Sequence, residues 1–101
     1  MDIAGVDKRA TMAVTLLKAV ANESRLIILS VLNNQGEKSV GELEQIVGLS
    51  QSALSQHLAR LRKDGLVQTR REAQTIYYSL ANEQVKTVLD CLKKLFCVES
   101  V

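Results

Sequence analysis

Residues 39–66 read SVGELEQIVGLSQSALSQHLARLRKDGL, and the fold turns on this stretch. Ser39 and Glu42 have the S-x-x-E spacing of a capping box, and Leu43, Ile46 and Val47 follow at helical spacing. Gly48 stands just past the last periodic residue, where a left-handed helix end favours glycine. Leu49 can pack back on that helix, and Ser50 is placed to cap the next one, which runs over residues 51–64 and stops at Gly65. Two short helices joined by a glycine turn make a helix-turn-helix pattern.

Upstream, residues 7–21 carry Met12, Leu16, Leu17 and Val20 at helical spacing. Asn22 can cap a following helix whose Leu26, Ile27, Leu29, Val31 and Leu32 leave it apolar on most sides, as a central helix should be. Residues 33–38 (NNQGEK) form a polar turn. Downstream, residues 66–71 (LVQTRR) and 75–80 (TIYYSL) are rich in β-formers and flank Glu72, Ala73 and Gln74, which predicts a hairpin with a basic approach to its tip. From Asn82 onward Val85, Val88, Leu89, Leu92, Leu95 and Phe96 form a stripe on a last helix. The predicted architecture is mainly α with a two-stranded β-hairpin wing: one winged helix-turn-helix domain over residues 1–101.

Composition narrows the function. The 101 residues are 47% hydrophobic and 24% charged, with five Gly and no Pro, which suits one globular domain and excludes a disordered or collagen-like chain. No apolar run reaches the roughly 18 residues that span a bilayer, and residues 1–21 lack the pattern of a secretory signal. Two cysteines six residues apart make neither a disulfide framework nor a zinc knuckle, so a reducing cytoplasm is the expected compartment. The net charge of +2 is small but uneven. Residues 50–75 hold Arg60, Arg62, Lys63, Arg70 and Arg71 against Asp64 and Glu72, while the flanking segments are near neutral. A local cationic patch on a helix-turn-helix is the footprint of a nucleic-acid contact.

On a helical wheel Leu54, Leu58 and Leu61 fall within about 60° and form the buried stripe, with Ser52, Ser55, Gln56, Ala59 and Lys63 opposite. Gln51, Ser52, Ser55 and Gln56 are suited to base edges, glutamine pairing well with adenine. Arg60, Arg62, Lys63, Arg70 and Arg71 are expected to hold phosphates, and the positive end of the helix dipole favours phosphate near Ser50. His57, the only histidine, lies on the flank and reads as a half-buried residue bonding backbone or phosphate rather than a metal ligand. No phosphate loop, zinc-protease motif or nucleophile–base pairing is present, so neither an enzyme nor a cofactor is expected. A winged face that serves a protein partner is the rival reading, separated by the steep salt dependence that DNA alone imposes.

The runs VGELEQIVGLSQSALSQHLARLRKDGLV and TRREAQTIYYSL, with LLKAVANESRLIILSVL before them, strongly resemble the ArsR/SmtB family of bacterial winged-helix regulators, closest to the branch that contains HlyU and BigR and responds to sulfide and persulfide. The resemblance covers nearly the whole chain. It implies a homodimer formed by the first and last helices on a pseudo-palindromic operator, and surplus apolar surface on both terminal helices agrees with that. It implies a transcriptional regulator, with repression the leading expectation and activation by displacing a silencing protein the alternative.

The family's metal sites are not assembled here. Where the arsenic and cadmium sensors resembled carry Cys-x-Cys-Asp, this chain has Ser39, Val40, Gly41 and Glu42, and its last helix has no histidine. The resemblance also implies a thiol switch between a cysteine in the second helix and one ending the last. Cys97 matches the second position; the first is Ser30. That leaves a lost switch, an introduced Cys-to-Ser replacement, or Cys91 as substitute. On a regular helix residues 91 and 97 lie about 9 Å apart along the axis and roughly 120° apart in azimuth, beyond the roughly 7 Å that a disulfide allows. Cys97, with Cys91 as its alternative, is thus the candidate for oxidation or persulfidation by a reactive sulfur or oxidant effector.

Overall fold

The computed structural model describes residues 3–97, with side chains from Asp7 onward. The described residues form five helices: α1 (Ile3–Val20), α2 (Glu23–Gln35), α3 (Val40–Val47), α4 (Gln51–Lys63) and α5 (Glu83–Phe96). Three strands accompany them, β1 (Lys38–Ser39), β2 (Val67–Glu72) and β3 (Thr75–Leu80), in the antiparallel order β1-β3-β2.

The four helices α2 to α5 begin where the sequence offers an acceptor to their unpaired N–H groups. The side chains of Asn22, Ser39, Ser50 and Asn82 accept from the N–H groups of Arg25, Glu42, Ala53 and Val85. At α3 the box is complete, because the Glu42 carboxylate also accepts the Ser39 N–H at 2.9 Å. Gly48 ends α3 in the left-handed conformation. Gly65, at φ 79°, ends α4, and the Leu66 N–H reaches back to the Leu61 carbonyl at 2.9 Å.

α2 is the centre of the molecule. Ile28, Leu29, Val31 and Leu32 are buried in it, and it touches α1, α3, α4, α5 and β3. Leu43 of α3, Leu54, Leu58 and Leu61 of α4, Leu66, Val67, and Val85 and Leu89 of α5 complete the core. The three leucines of α4 are the stripe that the wheel predicted, so the opposite face of that helix is turned outward.

The hairpin differs from its expected form in two ways. Strand pairing continues to Glu72 opposite Thr75, which leaves a two-residue turn of Ala73 and Gln74 instead of three. Ala73 takes a positive φ of 56°, the conformation that two-residue hairpin turns demand to match the twist of their strands. The sheet also gains β1, where Lys38 pairs with Tyr78 and Ser39 with Tyr77. A two-residue strand inside a polar turn has no periodicity of its own; it exists because β3 presents an open edge beside it.

The ends of the helices are tied together by polar contacts. Arg25 donates to the carbonyls of Ala19 at 2.7 Å and Lys18 at 3.1 Å, fixing α2 against the end of α1. Asn33 donates to Asp90 at 2.8 Å, and Lys93 reaches Asn34 at 3.2 Å, joining the end of α2 to α5. Asn82 donates to the Gly65 carbonyl at 2.9 Å, which holds the start of α5 to the end of α4.

Candidate nucleic-acid interface

α4 and the β2–β3 hairpin carry the candidate site. Burial of Leu54, Leu58 and Leu61 in the core, with α4 packed on α2 and β2, leaves Gln51, Ser52, Ser55, Gln56, Ala59, Arg60, Arg62 and Lys63 exposed. The residues predicted to read bases therefore share one outward surface, short-chained toward the helix start and cationic toward its end. Ser50 caps the helix as its position predicted, its hydroxyl oxygen accepting the Ala53 N–H at 3.2 Å. His57 is half-buried on the flank, as its position on the wheel suggested. Among the described residues no group of three or more His, Cys, Asp or Glu is placed to hold a metal ion.

Among the described residues the cations fall into two classes, paired and unpaired. Arg60 bonds Asp64 at 3.0 Å within its own helix. Arg70 makes a two-pronged contact with Glu37 (Nη2–Oε1 2.8 Å, Nε–Oε2 3.1 Å), a further bond to Glu72 at 3.0 Å, and stacks 4.6 Å from the centre of the Tyr77 ring. The hydrogen bonds that Arg70 donates to the two carboxylates push its pKa up, and the guanidinium in turn lowers that of Glu37. Arg70 is thus a tie between the turn after α2 and the wing. The sequence placed Glu37 in a polar loop and offered no sign of this role, because the contact spans 33 residues.

Arg62 and Lys63 make no ion pair among the described residues, and Arg71 spends one donor on the Ala73 carbonyl at 3.3 Å, close to the turn. Val40, Ser55, Leu58, Ala59, Arg62, Lys63 and Tyr78 line a groove of about 470 Å³ between α4 and the sheet.

The thiols lie apart from this surface. Cys91 on α5 and Cys97 at its end are both free and exposed. Cys97 caps α5 in the left-handed conformation at φ 57°, its N–H bonded to the Lys93 carbonyl at 2.8 Å. Ser30 is buried in α2. Met12, Val14 and Leu17 of α1 and Leu95 and Phe96 of α5 are exposed. No helix among the described residues is long and apolar enough to cross a membrane.

Comparison with known proteins agrees with this architecture. The family model described as "Bacterial regulatory protein, arsR family" matches residues 22–69. The transcriptional activator HlyU of Vibrio cholerae is 54% identical over 97 residues, covering 96% of this chain and 89% of its own. A solved structure of HlyU from V. cholerae superposes with a TM-score of 0.85 at 57% identity, over 89% of this chain and 97% of that one. The transcriptional repressor BigR of Xylella fastidiosa has a TM-score of 0.83 at 39% identity, over 97% of this chain and 99% of its own. A homodimeric winged helix-turn-helix DNA-binding domain from Mycobacterium bovis has a TM-score of 0.81 at 30% identity, over 94% of this chain and 85% of its own.

Proposed function

The chain belongs to the ArsR family of bacterial regulatory proteins, a transcriptional regulator with a DNA-binding fold and not an enzyme, and we propose that it binds operator DNA as a homodimer and represses transcription there. Gln51, Ser52, Ser55 and Gln56 read bases in the major groove, with His57 beside them, and Arg71 follows the backbone from the wing. The observation that carries this reading is the outward face of α4, short-chained and polar at its start, cationic at its end and backed by a fully buried leucine stripe.

The dimer is supported by the exposed apolar side chains of α1 and α5, which a second copy would remove from water. Two-fold symmetry would set the two α4 helices one DNA turn apart, about 34–36 Å. Gating by a reactive sulfur or oxidant is assigned to Cys97, whose exposed thiol ends the helix that also carries this apolar surface. Cys91, also exposed, is its substitute or its partner across the dimer. A second reading, activation by displacing a silencing protein, is favoured by the activator named among the relatives.

The experiment is fluorescence anisotropy on the palindrome upstream of the protein's own gene. Gln56→Ala should cost about 1–3 kcal/mol there and relax preference at one base pair. Unchanged operator affinity would show that Gln56 does not face a base. Adding an organic trisulfide should release wild-type protein and leave Cys97→Ser bound; equal release of both would remove Cys97 from the switch. Transcription from that promoter in vitro, with and without a silencer bound, separates repression from activation.

A further inference from the structure

The positive charges of this surface are unequal, and the inequality identifies where one strand of the duplex rests. We propose that the DNA backbone is seated in the groove between α4 and β3, on Arg62, Lys63 and Tyr78, and that Arg70 touches no phosphate. This deepens the DNA-binding reading above and rests on it.

Local charge argues first. The lining of the groove contains two cations and no carboxylate. The Arg70 cluster sets one guanidinium against Glu37 and Glu72, so its sum is negative. A phosphate brought to Arg70 would meet two carboxylates and would have to displace a two-pronged ion pair. A phosphate brought to Arg62 or Lys63 displaces only water and counterions, which is the source of the salt-dependent gain in binding.

Shape argues second. Ser55, Ala59 and Arg62 follow one another along α4 at spacings of four and three, so the groove continues the face assigned to base reading. Ala59 keeps its floor low. Tyr78 closes the far wall from β3 with a hydroxyl that has no side-chain partner among the described residues, a donor of the kind that bonds phosphate. A strand leaving the major groove beside α4 meets Arg62 and Lys63 before it reaches the wing.

The test uses wild-type protein and a labelled duplex of arbitrary sequence about 30 base pairs long, enough for two half-sites one turn apart. Backbone contacts do not depend on sequence, so no operator is needed. Each phosphate contact contributes about 0.9 to the slope of log affinity against log salt, or about 1.8 for the pair in a dimer. The advantage of wild type over Arg62→Gln should therefore shrink about tenfold between 50 and 200 mM salt. Lys63→Gln should behave alike.

Lys8→Gln, which removes an exposed cation of α1 outside the groove, controls for net charge and should leave the slope unchanged. The double change Glu37→Gln/Arg70→Gln removes the tie without altering net charge and should also keep the wild-type slope. Tyr78→Phe should weaken binding several-fold with no change of slope, as befits a neutral donor. The proposal is overturned if Arg62→Gln and Lys63→Gln keep the wild-type slope, if Lys8→Gln flattens it as much as they do, or if the double change flattens it. Wild-type protein that binds the duplex without salt dependence would overturn the DNA-binding reading itself, a result distinct from these.

Discussion

Replacing Ser39 by alanine tests how much of the recognition unit depends on one side-chain oxygen. Ser39 accepts the Glu42 N–H at 3.2 Å, and its own N–H goes to the Glu42 carboxylate at 2.9 Å. The substitution removes the first bond and spares the second, and the backbone pairing of Ser39 with Tyr77 is also kept. α3 is only eight residues long, too short to hold itself by propensity, so its start depends on the cap and its position on Leu43. The expected loss is about 1 kcal/mol, within the roughly 0.5–2 kcal/mol measured for such caps. For a domain of this size that lowers the melting temperature by about 4–8 °C, read by circular dichroism at one fixed protein concentration.

The reciprocal half of the box sets a pH signature. The Ser39 N–H and then its hydroxyl hold the Glu42 carboxylate, lowering its pKa. A lowered folded-state pKa means the contribution is complete above the ordinary value near 4.5 and is lost as pH falls through the lowered one. Glu42→Gln should therefore differ from wild type at pH 7 and converge with it toward pH 3. Ser39→Thr, which retains the acceptor, should melt within 2 °C of wild type. A Ser39→Ala protein as stable as wild type would refute the reasoning and assign the start of α3 to packing alone.

Three further outcomes are expected. Leu58→Ala, at a side chain 1% exposed on the inner face of α4, should cost about 2–5 kcal/mol in urea melts; a loss below 1 kcal/mol would mean the site collapses freely. Leu17→Glu places a charge on the apolar surface of α1, where the side chain is 57% exposed within the chain. It should leave the protomer folded yet weaken self-association by roughly 100-fold in sedimentation equilibrium, because an unpaired charge resists burial. Unaltered association would move the interface away from α1. Ala73→Gly, which relieves a positive φ at the wing tip, should raise the melting temperature slightly, whereas a lower one would show that the turn tolerates alanine without strain.

What the sequence determined by itself was local or periodic. The capping serines and asparagines, the glycine ends of α3 and α4 and the leucine stripe of α4 each depend on residues a few places apart, where the chain's own geometry brings partners together. That is why the helix-turn-helix and its outward face were predictable residue by residue. Tertiary structure decided what lies between distant segments. The strand β1 exists only because β3 offers it an edge, and the tie from Glu37 to Arg70 joins residues 33 apart. The sequence alone lists Arg60, Arg62, Lys63, Arg70 and Arg71 as equivalent cations. Arg60 meets Asp64 one helical turn on, but only folding brings Arg70 to Glu37 and leaves Arg62 and Lys63 facing a groove without a carboxylate. A charge's partners are set by distance in space, and distance in space across a loop is what periodicity does not contain.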